Sequence, residues 1–184
     1  MGKNLYLIRH CEAEGQAHDA SLTAKGREQA VKLADSLQGI SFDKLYCSPF
    51  TRALQSIEPL ALKLDKQITI DDRLEERKLT EMHIDDWMTE LEKTFEDFSY
   101  KLAGGESSAE AASRGVEAVM DVVRVTNENA LVATHGNLFT LILNHFEQSH
   151  GFDTWKSLTN PDCYKLVFYN DTLVSIDHIM VRDD

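Results

Sequence analysis

The sequence predicts an α/β protein, a three-layer α/β/α sandwich whose mostly parallel sheet carries helices on both faces and has an antiparallel edge. Three observations lead to this. Short strand-like runs alternate with stretches whose apolar residues follow helical spacing. Two histidines, an arginine and an acid stand at or just past the ends of strand-like runs. Two alternating apolar runs joined by a short turn come last. The alternation argues for parallel strands linked by crossover helices, and the final hairpin supplies antiparallel pairing.

Taken in order, Asn4 to Ile8 is a short run of strand formers that leads directly into Arg9, His10 and a loop through Asp19. Thr23 can cap a helix whose apolar positions Ala30, Leu33, Ala34 and Leu37 follow the i, i+3, i+4, i+7 pattern, with Gly39 as its stop. Asp43 to Cys47 reads as a second strand. Ser48 and Pro49 then read as cap and first turn of a helix bearing Phe50, Leu54, Ile57 and Leu64, with Arg52 in its first turn. Pro59 falls inside this pattern and predicts a kink near Glu58. Gln67 to Ile70 reads as a third strand, followed by Asp72 to Glu76.

Met82 to Tyr100 mixes Trp87, Met88, Phe95 and Phe98 with acids and predicts one or two helices outside the repeating units. Ser107 and Glu110 have capping-box spacing and open a helix bearing Val116, Val119, Met120 and Val123. Ala130 to Ala133 is a buried-type strand ending in Thr134, His135 and Gly136, after which a helix carries Leu138, Leu141, Ile142 and Phe146. Cys163 to Tyr169 and Leu173 to Val181 form the hairpin, turning at Asn170 and Asp171.

The 184 residues, 42% of them hydrophobic, suit a single domain over 1–184, with 77–106 as a lid-like helical insertion. A net charge of −12 argues against nucleic acid but admits a small anion held by a few arginines in a cleft. Cys11, Cys47 and Cys163 lack metal-site or disulfide-scaffold spacing and point to a reducing compartment. No apolar run spans a bilayer, Tyr6 stands where a myristoylation motif wants Ser or Thr, and Met1 to Asn4 leads into a strand, so cytoplasm is the expected location.

In open α/β sheets ligands bind beyond the carboxyl ends of strands. His10, Arg52, Glu76 and His135 all fall there, so residues far apart in sequence are expected to meet at one rim. Phosphoryl transfer needs an in-line nucleophile, cations around the equatorial oxygens and a proton donor for the leaving oxygen. This set contains all three.

The sequence resembles the histidine phosphatase superfamily, also called the phosphoglycerate mutase-like family, through most of its length. Leu7-Ile8-Arg9-His10 looks like the nucleophile motif. Ser21-Leu22-Thr23 with Gly26 and Gln29-Ala30 resembles the following helix, and Ser48-Pro49 with Arg52-Ala53 the second arginine motif. Arg73-Leu74-Glu75-Glu76 looks like the proton-donor stretch, Gly105-Glu106-Ser107 a recurring helix entrance, and Thr134-His135-Gly136 the second histidine motif. The resemblance implies a phosphatase without metal or other cofactor, acting on a small phosphorylated metabolite. His10 takes up the phosphoryl group; Arg9, Arg52, His135, Gln16 and Gly136 bind it; and Glu76, rather than Glu75, is the proton donor.

Physical chemistry agrees with these roles. Neighbouring arginines disfavour a protonated His10 and keep its lone pair available. They also stabilise charge on the transferring group, and a bound dianion favours the protonated form of Glu76. His135, if protonated, donates to a phosphoryl oxygen.

Three positions depart from the family pattern: Cys11 replaces a usual glycine, and Ala13 and Gln16 replace a commoner threonine and asparagine. Cys11 is expected to pack as a small buried residue rather than act as a redox switch. Arg77-Lys78-Leu79-Thr80-Glu81 stands where the family often has a glycine and a Trp-Glu-Gly stretch, so the substrate side of the pocket is expected to be unusual. Trp87, Met88, Phe95 and Phe98 are candidates for either the entrance or the core, and Arg77, Lys78 and Lys101 for either a second acidic group on the substrate or a solvated face. Two alternatives stay open, a mutase that returns the phosphate to substrate and a non-catalytic phospho-ligand binding module. Metal catalysis is disfavoured by the lack of ligand spacing such as His-Glu-x-x-His. His145 and His150 lie near a helix end, and His18, His83 and His178 are expected to be exposed or structural.

Overall fold

A computed structural model describes residues 2–179. Six strands form one sheet in the order β3-β2-β4-β1-β5-β6. They are β1 (Gly2–Arg9), β2 (Lys44–Cys47), β3 (Ile68–Ile70), β4 (Asn129–Thr134), β5 (Asp162–Tyr169) and β6 (Thr172–His178). The pairs β3/β2, β2/β4 and β4/β1 are parallel. The pairs β1/β5 and β5/β6 are antiparallel. Six helices join them: α1 (Ala24–Leu37), α2 (Thr51–Leu64), α3 (Trp87–Glu96), α4 (Ser108–Val125), α5 (Gly136–Phe146) and α6 (Phe152–Ser157).

Strand alternation builds two cores, because successive side chains leave a strand on opposite faces. Leu5 and Leu7 of β1 join Ala130 and Val132 of β4 under α4 and α5. Tyr6 and Ile8 join Leu45, Leu131 and Ala133 under α1 and α2. The central strands β1 and β4 are thus covered on both sides, which explains their near-continuous apolar runs. The predicted stripe of α1 is buried at Ala30, Leu33, Ala34 and Leu37, and Thr23 caps it by accepting from the Gly26 N–H. Ser107 and Glu110 form the expected capping box of α4.

Other expectations need correction. Ser48 does not cap α2: the N-cap residue is Phe50, which makes no side-chain cap bond. Ser48 is committed elsewhere, as shown below. Pro59, where a kink was expected, does not end α2, which runs on to Leu64. Ile57 before the proline and Leu60 and Ala61 after it are all buried, so packing on the sheet carries the helix past its missing bond. The 82–100 stretch holds one helix, α3, and α6 had no counterpart in the sequence reading. The hairpin turns as expected at Asn170 and Asp171, both with positive φ, as a type I′ turn requires. Val181 lies outside the described residues. No described helix is long and apolar enough to cross a membrane.

Candidate active site

His10 follows directly after β1 and is 6% exposed. Its Nδ1 lies 2.7 Å from the carbonyl of Cys11. That oxygen can only accept, so Nδ1 carries the proton and Nε2 keeps its lone pair. Arg52 Nε donates to that Nε2 at 3.2 Å. Burial, followed by the charges of Arg52 and Arg9 against the opposing Cys11 hydrogen bond, pushes His10 down to about 4. The imidazole is therefore neutral at physiological pH.

His135 caps the end of β4 and is fully buried. Its ring lies 5.1 Å from that of His10, centroid to centroid. Ser48 Oγ accepts the Phe50 N–H at 3.2 Å and lies 2.7 Å from His135 Nε2. Ser48 Oγ keeps a second lone pair, and in the arrangement in which its hydroxyl donates to Nε2 the His135 ring proton sits on Nδ1. Burial first, then His10, Arg52, Arg114 and Arg9, hold His135 well below its ordinary value. His135 is therefore neutral in the free protein, and Nδ1 is its donor in that arrangement.

That Nδ1 has no hydrogen-bond partner, nor has Arg9 Nε, although both are buried. An unpaired buried polar nitrogen of this kind costs about 1–3 kcal/mol, which a ligand or water that meets it would recover. The rest of Arg9 is tied down, with one terminal nitrogen donating to the carbonyls of Leu158 at 3.0 Å and Thr159 at 3.2 Å. Gly136 leaves room for this guanidinium, since a Cβ would stand about 3.0 Å from Arg9 Nε. Arg52 is similarly fixed, donating to the carbonyls of Gln16 and Ala17 and lying 4.9 Å from the centre of the Phe50 ring.

Glu76 is brought in by three separate elements. Thr134 Oγ1 donates to the Leu74 carbonyl at 2.7 Å, and Arg114 donates to the carbonyls of Arg73 and Glu75. The carboxylate reaches the amino end of α5, where Oε2 accepts from Asn137 N and Oε1 from Leu138 N, with Arg77 N as a third donor. An acid there is favoured by the unpaired amides and the helix dipole. Its charge also supports the cationic forms of Arg9 and Arg52, which burial opposes.

Arg9, His10, Gln16, Glu76 and Gly136 line one cavity of about 650 Å³. Arg52 and His135 are not among its lining residues but adjoin His10, Arg52 through the bond to Nε2 and His135 through its neighbouring ring, so the expected residues meet around His10. Glu75 does not line the cavity. Asn137, whose Oδ1 is buried without a partner, and Trp155 line it too. Both were missed. The position of Asn137 beside Gly136 at a helix start was a usable signal, whereas nothing local marked Trp155.

The unusual loop after His10 is firmly held. Cys11 N donates to Ser56 Oγ at 2.8 Å, Glu12 N to Gln29 Oε1 at 2.9 Å, and Leu22 N to Gln55 Oε1 at 2.8 Å. Cys11 is fully buried against Leu22 and Ala30, and burial pushes its thiol up to about 12. Such a thiol is inert, which favours packing over a redox switch. Phe95 and Phe98 pack on the main core, while Trp87 lines the cavity. Among the described residues no group of three or more His, Cys, Asp or Glu is arranged to hold a metal ion.

Comparisons with known proteins fit this arrangement. The adenosylcobalamin/alpha-ribazole phosphatase of Escherichia coli K12 is 26% identical over 195 residues, covering 94% of this chain and 93% of that protein. A Salmonella choleraesuis protein named probable phosphoglycerate mutase GpmB is 27% identical over 150 residues, covering 72% of this chain and 69% of its own length. The solved structure of mycobacterial glucosyl-3-phosphoglycerate phosphatase shares the fold, with a TM-score of 0.78, 97% coverage of both chains and 18% identity. The family model for the histidine phosphatase superfamily, branch 1, matches residues 5–178, and the chain belongs to that superfamily.

Proposed function

We propose that this chain is a phosphatase that hydrolyses small phosphate monoesters through a phosphohistidine on His10. The observation that carries the reading is the pair of unpartnered buried nitrogens, Arg9 Nε and His135 Nδ1, beside a histidine whose tautomer leaves Nε2 unprotonated. Phosphatase-named relatives support the same class of activity.

On binding, the phosphoryl oxygens take over the N–H of Arg52 that now rests on His10 Nε2, together with Arg9 Nε–H and His135 Nδ1–H. The His10 lone pair then forms the N–P bond as the ester P–O bond breaks. The proton for the leaving oxygen comes from Glu76, whose Oε2 accepts only one backbone bond and so has room for it. Positive charge developing on the His10 ring strengthens its bond to the Cys11 carbonyl. In the second step Glu76 takes a proton from water, the hydroxide attacks phosphorus, and the P–N bond breaks to return neutral His10. Gln16 lines the cavity and is read as a further phosphate ligand.

Residues 77–106 act as a lid-like insertion over this centre. The buried free cysteines fit a reducing cytoplasm, and a small phosphorylated metabolite is the expected partner. The test is phosphate release from p-nitrophenyl phosphate in excess EDTA. Activity in the parent and its loss in His10→Ala support the reading, whereas equal rates would reject it and leave the binding-module alternative. The mutase alternative is favoured by the mutase-named relative. Phosphoglycerate interconversion with bisphosphoglycerate present, faster than phosphate release, would select it.

A further inference from the structure

The cavity extends well past the space a phosphate needs beside His10. At about 650 Å³ it falls among sites that enclose whole small molecules. Its two ends differ in chemistry. Around His10 the lining is polar and charged, while the far wall is built by Leu79, Met82, Ile84, Trp87 and Trp155. Two of these are not claimed by the core, since Met82 is 64% exposed and Trp87 46%. Trp87 meets Trp155 edge to face at 6.1 Å and 87°. Trp155 is stacked on Phe152 at 5.6 Å, and Lys156 lies over the Phe152 ring at 4.7 Å. The aromatic wall is thus braced from behind and presented to the cavity.

The cations that could hold a second acidic group are already engaged. Arg77 lines the cavity but is 5% exposed, and its nitrogens donate to the Glu106 carbonyl and Thr94 Oγ1. Lys78 pairs with Glu81 and Lys101 with Glu110. His83, also in the lining, is bonded to Asp85 at 3.2 Å. Among the described lining residues, a carboxylate placed against Leu79, Ile84, Trp87 and Trp155 meets apolar carbon and rings, and the buried Arg77 guanidinium in the same lining is already bonded.

We infer that Trp87 and Trp155 form a leaving-group subsite, and that the substrate is the monophosphate of an uncharged, apolar alcohol rather than of a hydroxy acid or sugar acid. This rests on the phosphatase reading and narrows it. The base of the wall is built to hold its place. Gly105 allows the chain at Leu79 to approach where a Cβ would collide with the Leu79 carbonyl, and Glu106 N donates to the Lys78 carbonyl at 2.7 Å.

The experiment compares kcat/KM for ethyl, butyl and hexyl phosphate and for the hexyl ester ending in a carboxylate. These alcohols are chemically matched at the reacting oxygen, so differences report the far wall. Each methylene buried there is expected to raise kcat/KM roughly threefold, and the terminal carboxylate to lower it at least about tenfold relative to hexyl phosphate. In Trp87→Ala and Trp155→Ala the hexyl-to-ethyl ratio is expected to fall toward one, with Trp87→Phe intermediate. A misfolded fraction lowers both rates together and leaves that ratio alone. Turnover with a flat series, a ratio unmoved in both alanine variants, or a preference for the carboxylate ester would overturn the inference while leaving the phosphatase reading intact. No turnover of any ester, p-nitrophenyl phosphate included, would overturn both.

Discussion

The floor and the far wall of the cavity are made in different ways. The floor is assembled from ends of the central strands β1 and β4 and from the first turn of α2. Each reacting or anion-binding group there is fixed by at least one hydrogen bond: His10 by the Cys11 carbonyl, Arg9 by the carbonyls of Leu158 and Thr159, and Glu76 by the amides of α5. The wall comes from residues 79–87 and α6, is mostly apolar, and is held by ring packing and a closed loop base. The difference separates chemistry from selection. A rigid polar floor can stabilise charge without reorganising, whereas an apolar wall graded by burial discriminates by only a few kcal/mol.

Substitutions can break this division. His10→Ala should cost the most, at least about 10³-fold in kcat with every ester, because it removes the atom that forms the bond to phosphorus. Steady-state rates on two unrelated esters check it, and an ester-dependent loss would mean that the floor also selects. Glu76→Gln should lower kcat/KM, which reports the first phosphoryl transfer, roughly 10²–10³-fold for alkyl phosphates but far less for p-nitrophenyl phosphate, whose leaving group departs without a proton. Equal losses on both would remove Glu76 from the role of acid.

Acid pH probes the floor alone. Protonation of His10 removes the lone pair, so the acid limb of kcat/KM due to this residue should fall near pH 4, well below the ordinary histidine value of 6.5. The same shift affects stability. A histidine whose folded value is depressed contributes stability that is complete above 6.5 and is lost as pH falls toward 4. His135 is shifted in the same direction, so thermal unfolding should move to lower temperature across that window. His10→Ala should flatten the dependence, and an unchanged slope would contradict the buried-neutral assignment.

Ser48→Ala should act more weakly, by roughly tenfold in activity and about 1–3 kcal/mol in stability, because it leaves His135 Nε2 without its partner. Rates and denaturant midpoints together test it, and Ser48→Thr should restore part of both. Smallest of all, Cys11→Ser should leave the rate of peroxide inactivation unchanged, given a thiol that is fully buried and pushed up to about 12.

The floor was legible in the sequence because its parts are local. A run of strand formers followed by Arg9-His10, or by Thr134-His135-Gly136, carries its strand-end position with it. The resemblance to a known family then linked segments that periodicity alone leaves apart. The wall was not legible. Trp87 was a candidate for either entrance or core, and its facing partner Trp155 lies on a six-residue helix too short to show a pattern. Ser48 was misread for a related reason: a serine before a proline looks like a helix cap, and only the fold reveals that a buried histidine 87 residues away claims its hydroxyl. Contacts between strand ends distant in sequence leave no local trace.

The most direct measurement is intact-mass analysis after alkaline quenching during turnover, which preserves phosphohistidine. A phosphoryl adduct that maps to His10, and disappears in His10→Ala, is the predicted result. An adduct on another residue, or none at single-turnover times while phosphate is being released, would contradict the assignment of His10 as the nucleophile.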